Sequence, residues 1–398
     1  MKDKKRTVKY WIGRIHLWLG LTTGSIVFVL AITGCIYAFQ AEIQNILQPY
    51  RFVLAEDKQT LSPAHFKEIG EKTLPDKHMH AIVYGRPGKA VQITYYNADP
   101  EYYYIVYLNP YSGEVLKVSN ENAGFFRFIL DGHFYLWLPH EIGQPIIASA
   151  TLIFLFMTIS GIVLWWPKNK NATKQRFTIK WSAKWRRKNY DLHNVLGFYC
   201  TWIALILAVT GLVWGFTWFA EGVYKITGGE KSMVYEEPLS DTTNANKGIL
   251  ALSMNKLYET IRRDNPKAEV IEVHIPMESS SALEVSVNPD DETYWSTDYR
   301  FFDQYSLKEL EVNHVYGKLA NASVADKLFR MNYDIHTGAV MGLPGKFLAF
   351  FGSLVIATLP ITGFYIWLGR RHKDRLKNLP TDKKLVKKPR QVSAPAVP

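Results

Sequence analysis

The sequence predicts a membrane protein, a four-transmembrane-helix bundle built by duplication and carrying two small extracytoplasmic α+β modules. Three observations predict it: four long apolar runs, a one-sided distribution of Lys and Arg, and an internal repeat that pairs the runs. The runs are 11–39, 144–166, 193–219 and 345–368. Each matches the ~20 residues needed to cross about 30 Å of hydrocarbon at about 1.5 Å per residue. One such run fits a buried helix of a soluble domain; four in one chain do not.

In order, the chain reads as a basic head (1–10), a first span (11–39), an outer module (40–143) and a second span (144–166). A basic loop (167–192), a third span (193–219), a second outer module (220–344), a fourth span (345–368) and a basic tail (369–398) follow. The head holds Lys2, Lys4, Lys5, Arg6, Lys9 and Arg14. The loop holds Lys168, Lys170, Lys174, Arg176, Lys180, Lys184, Arg186, Arg187 and Lys188, and the tail opens with Arg370, Arg371, Lys373 and Arg375. These three segments share one side, which the positive-inside rule makes cytoplasmic. The expected location is a bacterial inner membrane, multi-pass, with both termini in the cytoplasm and the modules in the periplasm. A net charge of +11 over 398 residues therefore records topology, and nucleic acid is not an expected partner. Span one is too long for a secretory signal, and Ile36 to Gln40 is a poor cleavage site, so it reads as retained. Cys35 and Cys200 are expected near opposite ends of their spans and unbridged. With no C-x-x-C-H motif, covalent c-type heme attachment is excluded.

The repeat is explicit. Span one reads His16-Leu-Trp-Leu-Gly20 and then Leu30-Ala-Ile-Thr-Gly34; span three reads His193-Asn-Val-Leu-Gly197 and then Leu207-Ala-Val-Thr-Gly211. The His-to-Gly interval is 18 residues in both. His133 precedes Ser160-Gly161 by 28 residues, and His336 precedes Thr362-Gly363 by 27. The outer segments repeat as well. Pro63 to Lys72 and Met254 to Arg263 read as helices, each followed by strand-like runs. The first copy closes on the turn Asn109-Pro-Tyr-Ser-Gly113, the second on Asp303-Gln-Tyr-Ser-Leu307.

Histidine at membrane depth defaults to a functional reading. One histidine at a helix end is explained by an interfacial contact; four in matched pairs are not. His16 and His193 lie at the inner ends of their spans, while His133 and His336 lie near or just before the outer ends of theirs. Two imidazoles from different helices thus meet at each face, the axial ligand set of a b-type heme in a bundle core. The expected cofactors are two non-covalent, bis-histidine hemes b. Zinc or copper would want a third or fourth ligand, and no Cys or carboxylate cluster stands near either pair. Gly34 and Gly211 lie about 27 Å from His16 and His193 along the axis, level with His133 and His336. Gly161 and Gly363 reach the level of His16 and His193 in the same way. These glycines read as slots for a porphyrin face or as plain close-packing residues. Arg14, Arg187 and Lys188 at the inner site and Arg127 and Arg330 at the outer one are expected propionate partners, though the inner group is equally read as positive-inside charge. Asp131, Asp191 and Asp334, each near a proposed ligand, read as helix caps or as imidazole-orienting groups. His140 competes with His133 as ligand. His78 and His80 read as solvent-facing or metal-binding, and His65, His274, His314 and His372 as surface residues. No catalytic acid or base is expected.

The chain resembles the PepSY-associated transmembrane-helix family, iron-regulated inner-membrane proteins that include ferric-siderophore reductases. The resemblance rests on His16 to Leu21, the four Ser/Thr-Gly motifs, Asp334-Ile-His336-Thr-Gly338 and the closing turn at 109–116, and it spans 10 to 370. In the second module Gln304 and Leu307 depart from the Pro and Gly of that turn. The resemblance implies PepSY-like outer modules and a heme-carrying reductase of ferric iron, as a ferric siderophore or other chelate, on the periplasmic side. It also implies a cytosolic flavoprotein as electron donor. The chain itself has no G-x-G-x-x-G and no P-loop, so nicotinamide or flavin chemistry falls to a partner, or membrane quinol is the donor. Two rival readings are a cofactor-free, membrane-anchored PepSY sensor or protease inhibitor, and a transporter of iron, heme or siderophore. The transporter needs polar residues at mid-membrane, where the spans hold few beyond Ser25, Thr158, Thr201 and Ser353.

Overall fold

A computed structural model describes residues 7–167, 169, 173, 175–244 and 250–377. The basic residues Lys2, Lys4, Lys5, Arg6, Lys168, Lys170 and Lys174, and the tail beyond 377, lie outside the described residues.

Four helices are long and apolar enough to cross a membrane: Val8–Tyr37, His140–Trp165, Trp185–Gly215 and Ala339–His372. They start a few residues earlier than the hydropathy runs because polar residues at their ends still make helical hydrogen bonds. The spans pack in a ring, one against two, two against three, three against four and four against one. Their inner faces are lined by small residues such as Ala148, Ala150, Ala204, Ala208 and Ala357, while Phe156, Trp202 and Phe351 point outward and are exposed. Small-in, large-out is how helices pack where lipid gives them no hydrophobic drive to associate. The fourth span contains Pro360, whose ring sits against Gly24; a Cβ on Gly24 would meet it at 3.2 Å. Cys200 lies in the middle of its span and not near its end, hydrogen-bonded to the Gly352 carbonyl, and both cysteines are free.

The outer segments were expected as two separate modules, and here the structure differs. Their strands form one eight-stranded antiparallel sheet of order β4-β3-β2-β1-β5-β6-β7-β8. Strands β1 (Met79–Tyr84), β2 (Val91–Ala98), β3 (Glu101–Leu108) and β4 (Val115–Asn120) come from the first segment. Strands β5 (Val270–His274), β6 (Leu283–Asn288), β7 (Asp298–Phe302) and β8 (Glu309–Leu310) come from the second. The seam is β1 against β5, with Ala81 opposite His274 and Val83 opposite Glu272. Pairing the two edges removes them from solvent, which isolated four-stranded modules would leave open. Helices Pro63–Thr73 and Leu250–Asp264 cover one face, burying Phe66, Met254, Tyr258 and Ile261 on Ile82, Val273 and Val285. Ser62 caps the first of these helices by accepting from His65 N–H, and Pro63 occupies its first position. The opposite face looks toward one end of the bundle, the sheet end. The other end, with Lys9, Arg176 and the Lys184–Lys188 stretch, is the basic end.

The two closing turns are built alike. The Asn109 and Asp303 side chains each accept from the N–H groups two and three residues on. The fifth residue is left-handed in both, Gly113 at φ 74 and Leu307 at φ 56. Leu307 keeps this costly conformation while packing on the sheet core. A Cβ on Gly113 would lie 2.6 Å from Ile69 Cδ1. Gly113→Ala is therefore expected to destabilise the sheet by about 1–2 kcal/mol from the left-handed backbone alone, read as a lower thermal midpoint of the purified protein.

Candidate functional site: two histidine pairs across the bundle

The sheet end and the basic end each hold two of the four histidines. His16 on span one and His193 on span three, which face each other diagonally across the ring, line one cavity at the basic end. His133 and His336 meet at the sheet end with ring centroids 6.2 Å apart. These two do not sit on the spans themselves. Each rides a short helix, Phe125–Tyr135 and Asn332–Thr337, that precedes its span and is turned off it by left-handed residues. Leu136 and Trp137 make the first turn and Gly338 the second. A Cβ on Gly338 would lie 2.2 Å from the Gly345 carbonyl oxygen, so only glycine lets the chain fold back there. His193 lies in a π-helical turn, Leu192–Leu196, a distortion that often marks functional positions in helices.

Every one of the four imidazoles is held by a Ser/Thr-Gly pair on a neighbouring span. His16 Nδ1 is 2.8 Å from Ser160 Oγ and His193 Nδ1 is 2.9 Å from Thr362 Oγ1. His133 Nδ1 is 3.1 Å from Thr33 Oγ1, and His336 Nδ1 is 2.7 Å from Thr210 Oγ1. Each of these hydroxyls donates its own proton to a carbonyl one turn back in its helix. The oxygen is thus left to accept, and the proton between the two groups belongs to the imidazole Nδ1. At His133 the same nitrogen also faces the Leu30 carbonyl at 3.1 Å, which can only accept. All four side chains are therefore assigned the Nδ1–H tautomer, with the Nε2 lone pair free. This is the arrangement by which proteins aim a metal-ligating histidine. Burial pushes the His336 imidazole down to about 3, and lowers His133 as well, so both are neutral at neutral pH.

The glycine of each pair gives the same imidazole its room. A Cβ on Gly34 would lie 3.2 Å from His133 Cε1, one on Gly363 3.2 Å from His193 Cε1. The distances at Gly211 to His336 and Gly161 to His16 are 3.5 and 3.7 Å. The level matching expected from the sequence holds at all four positions. The slot, however, is filled by the edge of the histidine ring and not kept open for a flat face.

Sequence reasoning missed Asn189 and Asn332. Each lies four residues before a histidine, His193 and His336. Asn189 donates to the Thr362 carbonyl at 2.9 Å and Asn332 to the Thr210 carbonyl at 3.1 Å. Each thus clips its helix to the residue whose hydroxyl holds the imidazole. The shared spacing was the available signal.

Other expected roles move. Arg330 is buried and spends three of its five N–H donors on the carbonyls of Val315, Thr297 and Gly317, so it is tied into the fold and not set out as a propionate partner. Arg14 is exposed; the cations lining the basic-end cavity are Arg176 and Arg370. Arg127 pairs with Asp131 and Arg187 with Asp191, while Asp334 accepts from the Tyr294 and Trp295 N–H groups. None of the three aspartates orients an imidazole. His140 is exposed, its ring beside Tyr135, and does not compete with His133. His314 is buried, contrary to its surface reading.

The basic-end cavity has a volume of about 350 Å³ and is walled by apolar residues including Leu17, Phe154 and Trp165. At the sheet end a larger, polar chamber of about 770 Å³ lies between sheet and bundle. Ring contacts lead from the histidines into it. Trp214 lies 5.3 Å from His336 and 6.3 Å from Tyr333, and Tyr333 lies 5.3 Å from Tyr294. Tyr333 and Tyr294 both line the chamber.

No curated protein matches the chain in a sequence comparison. The family model described as the PepSY-associated TM region matches residues 13–370, and the chain belongs to that family.

Proposed function

We propose that this chain is a di-heme b electron-transfer protein that reduces ferric iron, held in a siderophore or other chelate, at the sheet end. The observation that carries the reading is the set of four half-buried imidazoles with Nδ1 tied down and Nε2 free. The centroid separation at the sheet end, 6.2 Å, fits two imidazoles sharing one metal, since bonds of about 2.0–2.1 Å to each nitrogen give roughly 6 Å between rings. A bare metal ion fits less well. Among the described residues the carboxylate or thiol groups that could complete a small-ion site gather only at Glu269, Asp290 and Asp291, away from both pairs.

A bis-histidine heme supplies a one-electron couple whose potential the protein sets through ligand, hydrogen bonding and burial. The chain's own residues hold it: His16 and His193 at the basic end, His133 and His336 at the sheet end. The Ser/Thr hydroxyls keep each imidazole turned and raise its basicity. Arg176 and Arg370 place positive charge beside the basic-end cavity, suited to carboxylates. Two one-electron reductions of ferric chelate at the sheet end consume one two-electron donor, quinol or a reduced flavoprotein, at the basic end. Ferrous iron then leaves the chelator. The distribution of Lys and Arg supports a bacterial inner membrane with the basic end cytoplasmic and the sheet periplasmic. The symmetric strand order and the two Asx turns support an origin by duplication, with each sheet half a PepSY-like unit.

The test is an optical spectrum of detergent-purified protein, oxidised and dithionite-reduced, with hemochrome quantification. About two hemes per chain and reoxidation by a ferric chelate are expected. A colourless protein after heme supply during expression would instead leave an anchored sensor or inhibitor. A finer check follows from the hydroxyls. Thr362→Val removes the acceptor of the His193 Nδ1–H, so the midpoint potential of the basic-end heme should rise as its ligand donates less. Affinity should fall by about 10–100-fold.

A further inference from the structure

The short helices between sheet and bundle have inverted polarity. Each adjoins one of the four spans, so together they ring the bundle at its sheet end. Helix Gln40–Leu47, which follows span one, exposes Ile46 and Leu47 at 80% and 71%. Its polar residues turn inward: Glu42 pairs with Lys346 of span four at 2.6 Å, and Glu42 and Asn45 line the chamber. Helix Phe125–Tyr135, before span two, exposes Phe125 and Phe128, while half-buried Arg127 and Asp131 pair with each other at 2.8 Å. Before span four, Val324–Arg330 and the adjoining Asn332–Thr337 expose Val324 and Leu328, whereas Asp326, Arg330 and Asp334 are buried. After span three, Thr217–Ile226 is mixed: it exposes Trp218 and Ile226 together with Glu221 and Lys225.

A helix facing water does the reverse, burying its apolar stripe and exposing its charges. The two helices that cover the far face of the sheet obey that rule. Pro63–Thr73 buries Phe66 and exposes Glu68, Glu71 and Lys72. Leu250–Asp264 buries Met254 and Leu257 and exposes Lys256, Glu259 and Arg263. Single exposed apolar side chains are ordinary on any protein; charges inside and apolar residues outside on one helix are not. A second copy of the chain does not account for the pattern. A closed dimer covers one patch of each subunit, and these residues belong to all four sides of the ring. Their apolar surface is instead continuous with the outward sides of the spans, where Phe156, Trp202 and Phe351 are exposed. Height agrees. Span one has 30 residues, about 45 Å at about 1.5 Å per residue. That exceeds the ~30 Å of hydrocarbon and matches the ~40–45 Å from headgroup to headgroup. The sheet-end terminus of span one, and the helix that follows it, thus fall at headgroup level.

We propose that these helices form a collar lying in the leaflet at the sheet end, with phospholipid acyl chains packed against Ile46, Phe128, Trp218 and Leu328. An interfacial helix ordinarily buries its apolar face about 5–10 Å into the boundary of headgroups and acyl chains, and Trp is enriched at that level. The collar is also the lipid-side wall of the chamber, since Gln40–Leu47 turns Ile46 and Leu47 to lipid and Glu42 and Asn45 to the chamber. The chamber floor, where Tyr333 and Thr337 flank His336, is thereby sunk to the depth of the headgroups and shielded from lipid. Heme content has no bearing on the collar.

The experiment takes the full-length wild-type chain in phosphatidylcholine vesicles doped with a phospholipid whose acyl chain carries a photoactivatable diazirine near its carbonyl. Carbene adducts are mapped by mass spectrometry, and a parallel sample is footprinted with hydroxyl radicals to report contact with water. Peptides holding Ile46, Phe128, Trp218 and Leu328 should carry adducts at the level of the span peptides. That level should be at least ten-fold above the peptides of Pro63–Thr73 and Leu250–Asp264. Collar peptides without adducts overturn the proposal. If the radicals oxidise them, the face is in water; if the radicals spare them, protein covers it, either a second copy or another partner. Adducts on only one or two of the four sides also overturn the collar, because lipid then meets a patch and not a ring.

Discussion

His193→Ala is expected to purify with one heme per chain in place of two, and His16→Ala to lose the same heme. The two residues line one cavity from opposite spans, and no other imidazole borders it. Alanine would leave a methyl where the proposed ligand stands, and the surviving histidine alone would retain that heme only weakly. The sheet-end pair is untouched, because His133 and His336 are held by Thr33 and Thr210 on other stretches of the same spans. Quinol- or flavin-driven reduction of ferric chelate should fall to background. Dithionite, which reaches the remaining heme directly, should still reduce it. Heme quantification and stopped-flow reoxidation check both halves. Losing both hemes together, or neither, would contradict the two-site arrangement.

Much of this site was legible before the structure because a membrane converts sequence spacing into height. An 18-residue interval along a helix is about 27 Å, so a histidine at one end and a glycine at the other had to lie at different faces, and each glycine had to meet a histidine from elsewhere. What the spacing did not carry is lateral detail. Nothing local marks the hydroxyl of each Ser/Thr-Gly pair as the partner of Nδ1, since Ser and Thr in helices ordinarily bond back to their own turn, as these also do. The short helix bearing His133 was hidden for a different reason. Leu136 and Trp137 adopt left-handed backbone without a glycine to announce it. The single sheet was hidden because β1 and β5 are separated by nearly half of the chain, and edge pairing leaves no periodic trace. His80 read as solvent-facing or metal-binding and His274 as a surface residue, and their meeting was hidden for the same reason: the seam that joins them is a long-range contact. Arg330 read as a free cation and proved to be a buried donor to three carbonyls, a role that only the fold reveals.

Gly34→Val should remove the sheet-end heme although Gly34 sits on the span that carries His16. The glycine lies against His133, where even a Cβ would come within 3.2 Å of Cε1. Valine adds two further methyl groups on the same side, and overpacking of this kind costs about 1–3 kcal/mol or displaces the neighbour. Here the neighbour is an imidazole whose position is set by one hydroxyl and one carbonyl, so the ring is what moves and Nε2 is carried off its aim. The helix itself does not suffer, since valine is at least as good a helix former as glycine. Alanine gives the graded control. Gly34→Ala and Gly363→Ala, at 3.2 Å, should broaden or shift the spectrum of their hemes; Gly161→Ala, at 3.7 Å, should leave both hemes as they are. The crossed outcome is the informative one: on span one, changing His16 empties the basic end and changing Gly34 empties the sheet end. If Gly34→Val kept both hemes with unaltered spectra, the glycines would be packing residues only, and the imidazole clearance seen at all four positions would have no bearing on the ligands.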